Sequence, residues 1–253
     1  MMASTWQVQV RAPLGVGEYR TITIPVPTGK LLTILEAVEK EEQAQHYRFK
    51  IHATKTKMTI IQFMPEPAYD AAAAMMTSLL WGFEFQRATV AQSPTILGTY
   101  GRMRFLVNGV SEPDGCIVPD SRNIHTDWPT VVIEVGYNET IPELYRRADD
   151  WLQDSGGAVQ LVILTKIFAQ TRRIALHFLV HSQQKNNNLP FHATPVLPAL
   201  NWSEETLATT QFAPIDIPAH LVYDVVPANV AVVTISAMEV GQYVRRIFRC
   251  IPV

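Results

Sequence analysis

The sequence predicts an α/β (α+β) fold, and three stretches carry that prediction. "AVQLVILTKI" (158–167) is almost wholly apolar and β-branched, as a strand covered on both faces would be. "ETIPELYRRADDWLQDSGG" (139–157) reads as a helix closed by paired glycines, and strand-like runs lie on both sides of it. "EPAYDAAAAMMTSLLWGFEF" (66–85) is the longest apolar helix candidate, with good helix formers from Ala71 onward. With 253 residues, 47% of them hydrophobic, the chain is large enough to bury a real core.

The elements follow in order. "TWQVQV" and "YRTITIPV" alternate apolar and polar residues between Pro and Gly, so they predict antiparallel edge strands of a small N-terminal sheet. "TGKLLTILEAVEKEEQAQ" places Leu31, Ile34, Leu35 and Val38 on one face of an amphipathic helix behind a threonine cap. "YRFKIHAT" and "KMTIIQFMP" predict a hairpin across residues 55–57, and the apolar helix comes next. "GRMRFLV", "GCIVP" and "TVVIEVG" are strand-like, and "RRIALHFLVH" alternates beside the apolar run at 158–167. Beyond residue 183 the polar "QQKNNNLP" and recurring prolines predict loops, until "NVAVVTISAMEVGQYVRRIF" restores a strand and a helix.

Charge narrows the function classes. Twenty-one basic against 23 acidic residues leave a formal net charge of -2, so no global basic field draws in nucleic acid, and any polyanion site must be local. Cys116 and Cys250 are too few for a disulfide framework and read as thiols in a reducing compartment. The start, "MMASTWQVQVRAPLG", lacks the basic and apolar regions of a signal peptide, and no run of 18 apolar residues occurs, so the expected location is intracellular, cytoplasmic or nuclear.

The segment "EPDGCIVPDSRNIHTDWPTVVIEVG" (112–136) has Asp114 opening one short strand and Glu134 ending the next. Two carboxylates on neighbouring strands are what a Mg²⁺ site for phosphodiester cleavage needs, together with a cation to steady the attacking water or the developing charge. The same spacing also suits two ordinary acids, one in a loop and one at a strand end.

"EPDGCIVP...PTVVIEVGYNETIPELYRRADDWL...VQLVILTKI" resembles the PD-(D/E)XK restriction-endonuclease-like superfamily, particularly its uncharacterised fungal branch, from about residue 46 to the end. The resemblance implies a restriction-endonuclease-like mixed four-stranded core sheet flanked by helices. It further implies Mg²⁺ (or Mn²⁺) held by Asp114 and Glu134, and nucleic acid as substrate, DNA before RNA. Upstream, where that family tends to carry a His-Glu pair entering the first core helix, Tyr69 and Asp70 stand, which makes Asp70 a third metal-ligand candidate.

One departure bears on catalysis: the motif's lysine should stand two residues after Glu134, but Gly136 is there. In some branches the cation moves to the following helix, where Arg146 or Arg147 falls, although a permanently charged arginine clamps phosphate better than it activates water. Lys166 is the alternative, and an alternate-residue count puts it on one strand face with Val162 and Leu164. Arg102 and Arg104 could meet phosphates from one strand face. His125, His177, His181 and His192 show no metal-ligand spacing, and "GTYG" lacks the setting of a phosphate loop.

The expected layout is a β/α cap over residues 1–45, a restriction-endonuclease-like core over 46–182 and a strand-helix appendage over 183–253 packed on the core. The expected activity is Mg²⁺-dependent nucleic-acid hydrolysis, with Asp114, Glu134, Lys166 and Arg147 as catalytic residues. The alternative is a catalytically silent binding or assembly module, and dimerisation stays open.

Overall fold

The computed structural model describes residues 19–25, 33–34, 48–53, 57–63, 67–91, 96–100, 110–124, 126–182 and 193–252. The chain divides into two compact units, Met1–Pro65 with Asn108–Ser111, and Glu66–Val107 with Glu112–Val253. The boundary expected at residue 45 falls inside the first unit, and the segment after residue 183 belongs to the second.

In the first unit, β1 (Tyr19–Pro25), β2 (Arg48–Ala53), β3 (Lys57–Phe63) and β5 (Val110–Ser111) form one sheet in the order β1-β3-β2-β5. The expected hairpin is there, with Ala53 opposite Met58, and β1 lies at an edge. "TWQVQV", most of the 28–45 helix, "GRMRFLV" with Arg102 and Arg104, His125 and His192 lie outside the described residues.

Among the described residues the second unit holds a mixed seven-stranded sheet and three α-helices, which bears out the α/β (α+β) class. Its strands are β4 (Leu97–Tyr100), β6 (Gly115–Pro119), β7 (Val131–Gly136), β8 (Leu161–Phe168), β9 (Arg173–His181), β10 (Ala193–Pro195) and β11 (Leu200–Ser203). They run in the order β10-β9-β8-β7-β6-β4, and β11 also pairs with β9. The central four, β6 to β9, pair antiparallel, parallel and antiparallel, and three further strands widen that core. Two of these, β10 and β11, come from the proline-rich stretch expected to be loop; each is only three or four residues long, too short to show a period. A separate pair, β12 (Ile215–Pro218) and β13 (Val232–Ile235), is antiparallel.

Helix α1 (Pro67–Ala91) turns Tyr69, Ala72, Ala73, Met76 and Leu80 inward at helical spacing. Helix α2 (Ile141–Asp154) begins at a capping box, in which Thr140 N donates to Glu143 Oε2 (2.7 Å) and Glu143 N donates to Thr140 Oγ1 (3.4 Å). It is followed by Gly156 and Gly157 at φ 61 and 90, a left-handed turn that a side chain would oppose. This helix makes the crossover that parallel β7 and β8 require. Helix α3 (Ala237–Cys250) opens with a second capping box, Ser236 with Glu239, and packs against α1.

All six residues of β7 are buried, as expected for a central strand. Val132 packs in the cluster of Leu144, Ala148, Trp151 and Leu152 on α2. Ile133 faces the opposite layer, beside Gly115 and Thr77 of α1. No described helix is long and apolar enough to cross a membrane.

Candidate active site

Asp114 sits immediately before β6, and the last ladder pair, Gly115 with Ile133, places it opposite Glu134 of β7. Its backbone N–H still donates to Ile133 O (3.1 Å), but the ladder stops there. The Asp114 carboxylate then takes over, because Val135 N donates to Asp114 Oδ2 at 2.7 Å and would otherwise be a buried N–H at the strand end. The Tyr69 hydroxyl donates to Asp114 Oδ1 from the first turn of α1. Burial, then the charges of Asp114, Glu134 and Glu139, push the Tyr69 phenol well above its ordinary value, so it stays protonated and remains a donor.

Glu134 is fully buried, on the α2 face of β7. Trp151 Nε1 donates to its Oε1 (2.7 Å) and Arg147 Nη1 donates to its Oε2 (3.0 Å). Arg147 and Trp151 are four positions apart, so one helix face delivers both donors. Arg147 also reaches Glu139 (3.1 Å). Burial opposes its charge, but Glu134, Glu139 and Asp114 outweigh that and raise its pKa further.

At Gly136, where the motif lysine was expected, a side chain would push against Leu144. A Cβ built there would stand 2.4 Å from Leu144 Cδ1, and Leu144 is itself fully buried in the α2 cluster. The neighbouring strand supplies a lysine at the same level: β7 and β8 are parallel, and Gly136 pairs with Lys166. Val162 and Leu164 join the α2-face cluster, so the strand period puts Lys166 on the Glu134 face, as the alternate-residue count expected. Only 5% of Lys166 is exposed, and its Nζ donates to Tyr137 O at 2.6 Å. Burial lowers its pKa, against the pull of Glu139 and Glu143.

Asp114, Glu134 and Arg147 are therefore brought into one electrostatic network, and Lys166 stands on the same sheet face. Asp70 lies on the exposed side of α1, about 100° around the helix from Tyr69, and among the described residues no three acidic, histidine or cysteine side chains are placed to hold a metal ion. Arg146 is exposed as well. His177 approaches Tyr145 Oη through Nδ1 (3.1 Å), and burial lowers its pKa.

Tyr69, Trp151 and Glu139 belong to the network and were not among the expected site residues. For Tyr69 a signal existed: it shares the inward stripe with Ala72, Ala73 and Met76, whereas Asp70 falls with exposed Ala74. Each of the four carboxylate oxygens of Asp114 and Glu134 accepts at least one hydrogen bond from the protein. The arrangement can hold two buried carboxylates in fixed orientations, pair one of them with a guanidinium, and set nearby a lysine whose pKa burial lowers. No protein-family model and no curated protein matches the chain.

Proposed function

We propose that this chain is a metal-dependent nuclease of the restriction-endonuclease type that hydrolyses phosphodiester bonds of nucleic acid, DNA before RNA. The observation that carries this reading is the register of β7 and β8. Gly136 is crowded by Leu144, and Lys166 is its pairing partner on the Glu134 face, so the adjacent strand offers an amine where the motif strand has none.

Asp114 and Glu134 suit Mg²⁺ or Mn²⁺, since hard oxygen donors on neighbouring strands, completed by water, are an ordinary ligand set for Mg²⁺. When bound, such an ion supplies Lewis acidity toward the scissile phosphate. The protein's own residues do the rest. Arg147 and Trp151 hold Glu134 in orientation, and Tyr69 and Val135 N fix Asp114. Lys166, its pKa lowered by burial, takes the proton of the attacking water when neutral and steadies the added negative charge when protonated. The phosphorus–oxygen ester bond then breaks, and solvent protonates the leaving oxygen.

A second reading, the catalytically silent binding or assembly module, is favoured by one observation. All four carboxylate oxygens already accept protein donors, and Arg147 balances the Glu134 charge. Incubation of supercoiled plasmid and of single-stranded DNA with Mg²⁺, Mn²⁺ or EDTA separates the two. The nuclease reading expects metal-dependent cutting that Asp114→Ala abolishes and that Lys166→Ala slows by about a hundredfold or more. No cutting in any metal, or cutting that survives Asp114→Ala, favours the silent module.

A further inference from the structure

A cavity of about 420 Å³ lies between α1 and α3, lined by Met75, Gln242, Arg245, Arg246 and Arg249. The four α3 residues are exposed and recur at positions i, i+3, i+4 and i+7, one stripe of the helix. The opposite stripe, Val240, Tyr243, Val244, Ile247 and Phe248, is the one buried in the core. Three arginines on one stripe repel one another at i,i+3 and i,i+4 spacing. A single cation in the last turn, Arg249, answers the helix dipole, but that does not account for Arg245 and Arg246.

Among the described residues none of the three arginines forms an ion pair. The one partner of Arg245 is aromatic: its guanidinium lies 5.1 Å from the Phe212 ring centroid. Gly241 makes room for that stacking, since a Cβ there would stand 2.9 Å from Arg245 Nη1 and 3.0 Å from Phe212 Cδ2. The guanidinium is thus positioned at the cavity by packing, with no counter-charge among the described residues.

We infer that this stripe is a docking site for the phosphate backbone of nucleic acid, separate from the Asp114–Glu134 site. Guanidinium groups match phosphate oxygens in geometry and charge, and the neighbouring Gln242 amide adds a neutral donor. The chain's net charge of -2 means that this local concentration of positive charge, and no overall field, would attract the polyanion. The choice of nucleic acid over other polyanions rests on the proposed nuclease reading. The stripe itself does not.

Fluorescence anisotropy with a short labelled DNA duplex, and with its single strand, tests the inference. The measurement is made in EDTA on the full chain carrying Asp114→Asn, so that cutting cannot interfere. Binding should weaken as salt rises from about 50 to about 200 mM, and Arg246→Gln with Arg249→Gln should lower the logarithmic salt slope by about 2 on duplex. Both side chains are exposed, so circular dichroism should find the variant folded. Equal binding and slope with and without the two arginines overturns the inference. So does arginine-dependent binding confined to phosphatidylglycerol vesicles or polyglutamate. Plasmid cutting that persists while arginine-dependent binding is absent would sink the docking site and spare the nuclease reading; the reverse result would do the opposite.

Discussion

The two faces of the β7–β8 pair are built differently. Toward α1 and α3 the pair presents Ile133, Val135, Ile163, Thr165 and Ile167, and the one polar side chain, Thr165, is matched by the Tyr243 hydroxyl at 2.7 Å. Toward α2 the first half is equally apolar, with Val132, Val162 and Leu164. The last half carries Glu134, Gly136 and Lys166. The apolar face shows what the sheet requires in order to pack. Two buried charges on the other face exceed that requirement, because an apolar pair of similar volume would hold a sheet and helix together at least as well. They gather at the carboxyl ends of parallel strands, where open α/β sheets place their ligands.

Removing a polar group from each face gives the sharpest test of that difference. Glu134→Ala strips Arg147 and Trp151 of their acceptor and should cost about 3–5 kcal/mol in urea or guanidinium unfolding. Thr165→Val on the other face removes one neutral hydrogen bond and should cost about 1 kcal/mol. Equal costs would mean that the α2-face charges are no more deeply integrated than an ordinary buried hydroxyl.

Gly136 offers a smaller effect. Gly136→Ala forces a methyl against Leu144 and should destabilise the fold by about 1–3 kcal/mol. Combined with Leu144→Ala, which alone should cost about 2–5 kcal/mol through the cavity it leaves, the double variant should lose less than the sum of the single losses. Strict additivity would show that the glycine is not required by the helix above it.

Lys166 gives the smallest signal, and its sign follows from burial. Its folded pKa lies below the unfolded value, so between the two pKa values the unfolded chain binds more protons and stability rises with pH. That rise lies below about pH 10.4, the ordinary lysine value, and should be absent in Lys166→Met. Melting temperatures recorded across the alkaline range would expose it. A slope unchanged by the substitution would place the charge in water.

The core of the fold was legible because its signals are long. The apolar run at 158–167 and the capped helix that starts at Thr140 are each longer than a turn of either period, and both appear where the sequence sets them. Strands β10 and β11 were not legible, since three or four residues beside prolines carry no period and owe their pairing to the edge of β9. Spacing put Asp114 and Glu134 on neighbouring strands but suited two ordinary acids equally, and Arg147 came from the family resemblance, which places a cation on the next helix. Helical phase separates Tyr69 from Asp70: a step of about 100° decides which of two neighbours faces the sheet, and it is Tyr69 whose hydroxyl reaches Asp114. The pairing of Gly136 with Lys166 depends on strand register, which no local sequence feature encodes.

The central claim is that Asp114 and Glu134 together hold a divalent cation, and calorimetric titration of the purified chain with Mn²⁺ tests it without requiring a substrate. The account predicts binding of one ion that Asp114→Ala removes, in a variant that circular dichroism shows to be folded. No detectable binding, or binding unchanged by Asp114→Ala, would contradict it and leave the buried carboxylates as a structural network.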